Sequence, residues 1–154
     1  MSKRINLRDC VRRLIRNWAV PVGCGLFFLF ILRFVFIIGY VPTVSMEPTI
    51  KTGSFIMGFR IVGDLKRGDI VIFERNGMIT IKRIVALPGD TVYIDENGNV
   101  FTNITVKDKS PVLLVPEGKY FVLGDNSECS IDSRYWSDHF ISRSQIIASL
   151  CQPL

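Results

Sequence analysis

The hydrophobic and polar positions divide the chain into an apolar N-terminal run and a longer region of short alternating segments. Apolar residues fill positions 18–32, Arg33 interrupts them, and a second apolar run covers 34–41. A membrane-spanning helix needs roughly 20 such residues, with about 17 as the lower limit. Counting Asn17, and letting Arg33 reach the far headgroups, brings the first run into range. We therefore predict one transmembrane helix, followed by extended chain over 34–40, where Phe, Val and Ile dominate.

Two other readings of the apolar run remain open. A longer, tilted helix would carry Arg33 inside the bilayer, at a cost of about 2.5–3.5 kcal/mol on insertion scales. A cleavable signal peptide also begins with basic residues followed by apolar ones. No small-x-small cleavage site follows the run, which favours a retained anchor.

The distribution of charge supports a membrane partner and argues against nucleic acid. The whole net charge of +5 lies in the first 16 residues, because positions 17–154 hold 13 basic and 13 acidic side chains. The first 16 residues contain Asp9 and six basic side chains: Lys3, Arg4, Arg8, Arg12, Arg13 and Arg16. A basic tail beside an apolar run is typical of a cytoplasmic flank, whereas nucleic-acid binding needs a basic folded face. The predicted parts are therefore a cytoplasmic tail (1–16), a transmembrane anchor with a membrane-proximal segment (17–40) and an extracytoplasmic domain (41–154).

The extracytoplasmic region shows strand-like segments separated by turns. Alternating apolar segments at 70–73 and 78–81 flank Asn76-Gly77, a strong two-residue hairpin signal. Further strand-like segments cover 54–60, 91–94, 100–102 and 120–123, and a second hairpin is expected around Asn97-Gly98. Residues 145–150 suit either a last strand or a short helix. The pattern predicts a mainly β domain of about 110 residues.

The four cysteines predict neither a metal site nor a disulfide framework. Cys10 falls in the tail and Cys24 in the apolar run, so only Cys129 and Cys151 share the exterior. Their spacing fits no zinc site, and whether they pair is left open. We predict no metal and no cofactor.

Ser45 is a candidate nucleophile, in the Pro-broken segment V-P-T-V-S-M-E-P that follows the anchor. A serine needs a base, and His139 is the only histidine; its polar surroundings suggest a surface residue. A lysine also activates serine when burial lowers its pKa. Lys82 is the lysine in an apolar segment, between Ile81 and Arg83. Strand alternation points one of Lys82 and Arg83 inward but does not say which.

A third polar cluster covers 124–136, from Gly124-Asp125-Asn126 to Tyr135-Trp136. Asp132 and Arg134 are spaced to form a charge-assisted pair that fixes this loop. A hydroxyl from the loop is also suited to orient a lysine amine.

In this order, the three clusters resemble type I signal peptidases, membrane-anchored Ser-Lys proteases. Residues 45–49 (S-M-E-P-T) look like the nucleophile box, 81–90 (I-K-R-I-V-A-L-P-G-D) like the base box, and 124–136 like the last box. The resemblance implies a signal-peptidase/SOS-repressor-type β catalytic domain behind one N-terminal transmembrane helix. The short exterior is similar to the compact Gram-positive form.

The resemblance also implies the roles of individual residues. Ser45 would be the nucleophile and Lys82 its base; Ser130 would hydrogen-bond the lysine, and Thr43 would donate to the oxyanion with the Ser45 amide. Asp132 and Arg134 would be a structural pair. The substrate pocket would be lined by Val41, Met46, Ile50, Ile56 and Ile81. The substrates would be signal peptides of secreted preproteins, cut after small residues at the outer face of the plasma membrane.

Other classes of protein remain as alternatives. A mitochondrial inner-membrane relative shares the Arg-rich start, and a membrane-tethered β domain that only binds peptides shares the anchor. The endoplasmic-reticulum relative has histidine in place of Lys82, and soluble SOS repressors have a DNA-binding module and no anchor. The preproteins cut and the oligomeric state are not indicated by the sequence.

Overall fold

A computed structural model of the chain describes residues 7–103 and 112–150. For residues 7–11, 13 and 14 it describes the backbone alone. The predictions about Lys3, Arg4 and Cys151, and about the side chains of Arg8, Asp9, Cys10 and Arg13, lie outside what is described. Residues up to 36 and residues from 37 onward form two separate compact units.

The first unit is one long helix, α1 (Leu7–Val35), with Pro21 inside it. Within it, the 21 residues Ile15–Val35 have a mean hydropathy of 2.0 and are long and apolar enough to cross a membrane. The sequence predicted extended chain from Phe34, which is wrong by two residues, since the helix continues through Arg33 and ends at Val35. A helix satisfies every backbone N–H and C=O within the segment, which an apolar run in lipid requires.

Ten strands lie in the described residues after α1, so the mainly β prediction is confirmed. Short 3-10 turns at Ser127–Cys129 and Arg143–Gln145 interrupt the chain between strands. The strands are β1 (Phe36–Tyr40), β2 (Phe55–Phe59), β3 (Ile70–Arg75), β4 (Met78–Ala86), β5 (Thr91–Ile94), β6 (Val100–Thr102), β7 (Val112–Leu114), β8 (Lys119–Leu123), β9 (Ile141–Ser142) and β10 (Ile146–Leu150).

Seven strands form one sheet in the order β1-β2-β10-β3-β4-β8-β9. The strand β10 pairs antiparallel with both β2 and β3, so it lies between them in the sheet. The tail at 145–150 is therefore a strand from Ile146 onward. β6, β5 and β7 form a separate three-stranded sheet.

β4 is the longest strand, and only part of it has neighbours on both sides. It pairs with β3 along its length from Met78↔Arg75 to Arg83↔Ile70. β8 pairs with it only at Arg83, Ile84 and Ala86. In the described part of the chain, the other edge of residues 78–82 has no partner strand, which leaves room for an added strand.

Both predicted hairpins are present. Asn76 and Gly77 have φ of 52° and 77°, the left-handed conformation that a two-residue turn between β3 and β4 requires. Gly98 has φ of 79° in the loop between β5 and β6. The short strands β7 and β9 were not predicted, whereas β6, which is as short as β7, was found beside the Asn97-Gly98 turn.

Candidate active site

Ser45 lies in a turn that packs onto the large sheet. The turn is closed by the Glu47 N–H, which donates to the Val44 carbonyl at 3.1 Å, and the Ile50 N–H, which donates to the Met46 carbonyl at 2.9 Å. Met46 and Ile50 are buried in an apolar cluster, and this anchors the turn. Ser45 itself is only 8% exposed.

Of the two neighbours Lys82 and Arg83 on β4, Lys82 is the one whose side chain is buried. It is 3% exposed, and its Nζ lies 2.8 Å from Ser45 Oγ in a hydrogen bond. Arg83 faces away and pairs with Asp125, with Nε–Oδ1 and Nη2–Oδ2 distances of 2.7 and 2.6 Å. The structure therefore brings together the two residues that the sequence singled out from segments 37 positions apart.

Burial lowers the pKa of Lys82, and this effect outweighs the nearby charges. The carboxylate of Asp132 raises the pKa, the guanidinium of Arg134 lowers it, and Asp125 raises it. Ser45 Oγ is the only hydrogen-bond partner of Lys82 Nζ among the described residues. An ammonium group has three donors to satisfy, so a site with one acceptor favours the neutral amine.

Thr43 and the Ser45 amide lie beside the candidate nucleophile. Thr43 Oγ1 is 3.4 Å from Ser45 Oγ, and Thr43 is exposed. The Ser45 N–H donates to no residue in the described ranges. Both groups are therefore available to a bound substrate.

Ser130 is buried near the pair but bonds differently from the expectation. Its hydroxyl donates to Asp132 Oδ2 at 2.7 Å, and no hydrogen bond joins it to Lys82 within the described residues. A Cβ built on Gly124 would lie 2.2 Å from Ser130 Oγ and 2.5 Å from the Ser45 carbonyl oxygen. Ser130 thus packs, through Gly124, against the backbone of Ser45.

Asp132 and Arg134 form a buried ion pair, with 2.8 Å between Arg134 Nε and Asp132 Oδ1. Asp132 is fully buried, and it also accepts the Gly124 N–H at 3.0 Å. Burial by itself raises the pKa of Asp132, but hydrogen bonds from Arg134, Gly124 and Ser130 outweigh it and lower the pKa. The carboxylate stays ionised and holds the loop to the start of the 124–126 segment.

A groove of about 880 Å³ runs past the pair. Of the five predicted pocket residues, four line it: Val41, Met46, Ile56 and Ile81. Ile50 is buried in the same apolar cluster but does not line the groove.

The groove also has lining residues that sequence reasoning did not identify. They include Ile72, Arg75, Cys129, Ile131 and Trp136. Arg75 lies over the Trp136 ring, 4.3 Å from its centroid. β3 brings Ile72 and Arg75 to the groove because it pairs with β4. The Asn76-Gly77 hairpin signal predicts this pairing, so it was the signal from which these two residues could have been found.

His139 is not among the groove residues, and it is better held than the sequence suggested. It is half-buried, and its Nδ1 lies 2.7 Å from the Ser133 carbonyl oxygen, to which a protonated Nδ1 donates. Within residues 7–103 and 112–150, no group of three or more His, Cys, Asp or Glu side chains is placed to hold a metal ion.

Comparisons with known proteins identify similar chains. The family model described as "Signal peptidase, peptidase S26" matches residues 15–110 and 96–152. A signal peptidase I of Bacillus licheniformis is 39% identical over 131 residues, which covers 69% of this chain and 70% of the relative. A signal peptidase IB of Staphylococcus aureus (strain COL) is 30% identical over 175 residues, covering 91% and 89%. A solved signal peptidase I from Enterococcus faecalis V583 is 28% identical with a TM-score of 0.46, covering 58% of this chain and 99% of that one.

Proposed function

The chain belongs to the signal peptidase family, peptidase S26, and from that premise we propose that it is a membrane-anchored serine endopeptidase that removes signal peptides from preproteins. The observation that carries the proposal is the 2.8 Å hydrogen bond between Lys82 Nζ and Ser45 Oγ in a buried site. Ser45 is the proposed nucleophile and Lys82 the proposed general base.

Acylation begins with a neutral Lys82. The amine takes the proton of the Ser45 hydroxyl as the oxygen attacks the scissile carbonyl carbon. The carbonyl oxygen becomes an oxyanion, which accepts hydrogen bonds from the Ser45 N–H and the Thr43 hydroxyl. The protonated Lys82 then gives its proton to the leaving amine nitrogen as the C–N bond breaks, leaving an ester on Ser45.

Deacylation uses the same groups with water as the nucleophile. Lys82, neutral again, takes a proton from the water that attacks the ester carbonyl. When the tetrahedral intermediate collapses, Ser45 Oγ leaves and recovers the proton from Lys82. The released acid is the carboxyl end of the signal peptide.

Substrate selection is assigned to the groove. A substrate in extended conformation adds as a strand to the free edge of β4 at residues 78–82. Its alternate side chains, at the first and third positions before the cut, then face the apolar wall that contains Val41, Met46, Ile56 and Ile81. Ile50 packs in the same buried cluster as Val41 and Met46. Shallow apolar pockets accept small side chains and exclude larger ones.

The proposed topology places the N-terminus in the cytoplasm and the β unit outside the plasma membrane. The basic residues before the apolar part of α1 support this orientation by the positive-inside rule. The lipid bilayer and the signal peptides of secreted preproteins are the proposed partners, with no cofactor.

The test is cleavage of a model preprotein by the purified full chain in detergent. Wild type is expected to cut after the small residues, whereas Ser45→Ala and Lys82→Ala lose nearly all turnover. Lys51→Ala, which changes an exposed lysine, is the matched control. Activity should rise with pH through an apparent pKa below the ordinary lysine value of 10.5, because only the neutral amine accepts the proton. Full activity of Lys82→Ala would rule out the proposed base.

A membrane-tethered module that only binds peptides is the second candidate, and the same groove supports it. The two functions separate in the Ser45→Ala variant. A binding module keeps its ligand and never releases a cleaved product, with either residue at position 45.

A further inference from the structure

The segment Gly124–Asn126 contacts the Ser45 turn at two consecutive carbonyl groups. The Asn126 N–H donates to the Ser45 carbonyl at 3.1 Å. The Asn126 side-chain amide, through Nδ2, donates to the Val44 carbonyl at 3.2 Å. One residue, 82 positions along the chain, therefore holds the backbone on both sides of the candidate nucleophile.

The second of these hydrogen bonds acts on the peptide unit that carries the oxyanion donor. The Val44 carbonyl and the Ser45 N–H belong to one planar peptide group, in which C=O and N–H point in opposite directions. Fixing the direction of the carbonyl therefore fixes the direction of the N–H. In the described residues that N–H has no hydrogen-bond acceptor of its own, so no internal partner holds it.

Packing of the Val44 side chain adds little restraint, because Val44 is 40% exposed. The Glu47 N–H also donates to the Val44 carbonyl, at 3.1 Å, but it belongs to the same turn and moves with it. Asn126 is the contact that ties this peptide to a different part of the fold.

Asn126 is itself held from both sides. The preceding residue, Asp125, is paired with Arg83 of β4, and the Gly124 N–H donates to the buried Asp132. On the other side, the Cys129 N–H donates to the Asn126 carbonyl at 3.2 Å. The segment is thus fixed to the sheet that also carries Lys82.

We propose that Asn126 is a positioning residue that holds the Val44–Ser45 peptide with its N–H directed at the oxyanion of the transition state. The inference rests on the proposed function, in which the Ser45 N–H is an oxyanion donor. An oxyanion donor that is already aligned contributes about 10²–10³-fold in kcat. An asparagine suits this role because its amide donates, whereas an aspartate of the same shape presents only acceptors to the Val44 carbonyl.

The experiment compares Asn126→Ala, Asn126→Asp and Asn126→Gln in the full chain, with Asn97→Ala as control. Asn97 is an exposed asparagine in the β5–β6 turn. Asn126→Ala keeps the backbone N–H bond to Ser45, so it removes only the anchor on Val44. We expect kcat to fall by about 10–10²-fold in the Ala variant, more in the Asp variant, with KM changed by less than about threefold. The Gln variant keeps a donor and should recover most of the loss.

Two further readouts separate positioning from a general structural role. A substrate-derived peptide aldehyde forms a tetrahedral adduct on Ser45 and uses the oxyanion donors, whereas the corresponding product peptide does not. Affinity for the aldehyde should fall by the same factor as kcat, and affinity for the product should stay unchanged. The pH at which activity rises on the acid side of the profile should not change, because this rise reports the deprotonation of Lys82, which is not altered.

Several outcomes overturn the proposal. They are a kcat within about twofold of wild type in Asn126→Ala, equal losses for aldehyde and product, or a Gln variant as impaired as the Ala variant. If Asn126→Ala does not fold, as judged by circular dichroism, the Asp and Gln variants decide. A wild-type chain that fails to cut the preprotein refutes the proposed function itself, and so that failure is distinguishable from failure of the positioning role.

Discussion

Replacing Gly124 by alanine tests the packing behind the candidate dyad. A Cβ at this position would lie 2.2 Å from Ser130 Oγ and 2.5 Å from the Ser45 carbonyl oxygen. Real Cβ contacts under 3.0 Å essentially do not occur, so one of the neighbours must move. The backbone of Gly124 does not have the positive φ that favours glycine, so the requirement at this position is for space.

The size of the effect follows from how far the neighbours must move. Restoring an ordinary contact requires a shift of roughly 1 Å in the Ser45 backbone or the Ser130 side chain. Ser130 cannot turn away without losing its hydrogen bond to the buried Asp132. A displacement of about 1 Å at a reacting group costs on the order of 10²-fold in rate, and overpacking costs about 1–3 kcal/mol of stability. We therefore expect Gly124→Ala to fold, with a lowered Tm, and to lose about 10²-fold or more in kcat.

The assay is steady-state cleavage of a model preprotein by the full chain in detergent, with thermal unfolding measured on the same samples. Gly63→Ala is the matched control, because a Cβ at position 63 would meet no atom within 4 Å. If the Gly124→Ala enzyme folds and its kcat stays within about threefold of wild type, the inference that Gly124 must lack a side chain to keep Ser45 in position is refuted.

Three further predictions concern charge and hydrogen bonding around the site. Burial lowers the pKa of Lys82 in the folded chain. Between that lowered pKa and the ordinary value of 10.5, the unfolded chain binds more protons than the folded chain, so the stability of wild type rises with pH. Lys82→Met should consequently be inactive but more stable than wild type at pH 7, with a difference in Tm that shrinks as the pH approaches 10.5. Arg134→Ala leaves the carboxylate of Asp132 buried without its cation, so denaturant unfolding should show a loss of about 3–5 kcal/mol. The control Asp138→Asn, at a half-exposed ion pair, should cost about 1 kcal/mol or less. Thr43→Val should lower kcat by about 10²-fold while Thr43→Ser retains most activity, as measured by preprotein cleavage, and equal rates for both would remove Thr43 from the oxyanion site.

Local patterns in the sequence predicted the elements whose formation depends on nearby residues. The Asn76-Gly77 signal located the β3–β4 hairpin, because a two-residue turn needs positive φ at both positions. The apolar run located the membrane-length part of α1, although the helix begins ten residues before Asn17 and ends two residues after Arg33. Chemistry made Ser45 and Lys82 candidates, since a lysine in an apolar strand is the kind whose pKa falls, but it did not show that Lys82 points inward.

Long-range pairings were beyond these patterns. Nothing local to Ile146–Leu150 indicates that it inserts between β2 and β3, because its alternation fits any sheet position. The same limit applied to Lys82 and Arg83, because their partners on β3, Val71 and Ile70, are both buried and so do not show which of the two side chains points inward. The family resemblance selected Lys82, where alternation alone left two choices.

The chemistry of Lys82 depends on a balance that only the three-dimensional structure displays. Asp132 alone would raise the pKa of the lysine, and Arg134 alone would lower it, so the buried pair presents Lys82 with two opposing influences. With these charges opposed, burial sets the direction of the shift, and the amine is driven towards its neutral form. The pair therefore does more than hold the 124–136 loop in place. Removing the guanidinium of Arg134 while keeping Asp132 tips the balance towards the ammonium form, so the acid limb of activity moves to higher pH in any Arg134→Ala enzyme that remains folded. A limb that stays where it is in wild type would mean that the pair influences Lys82 through structure alone.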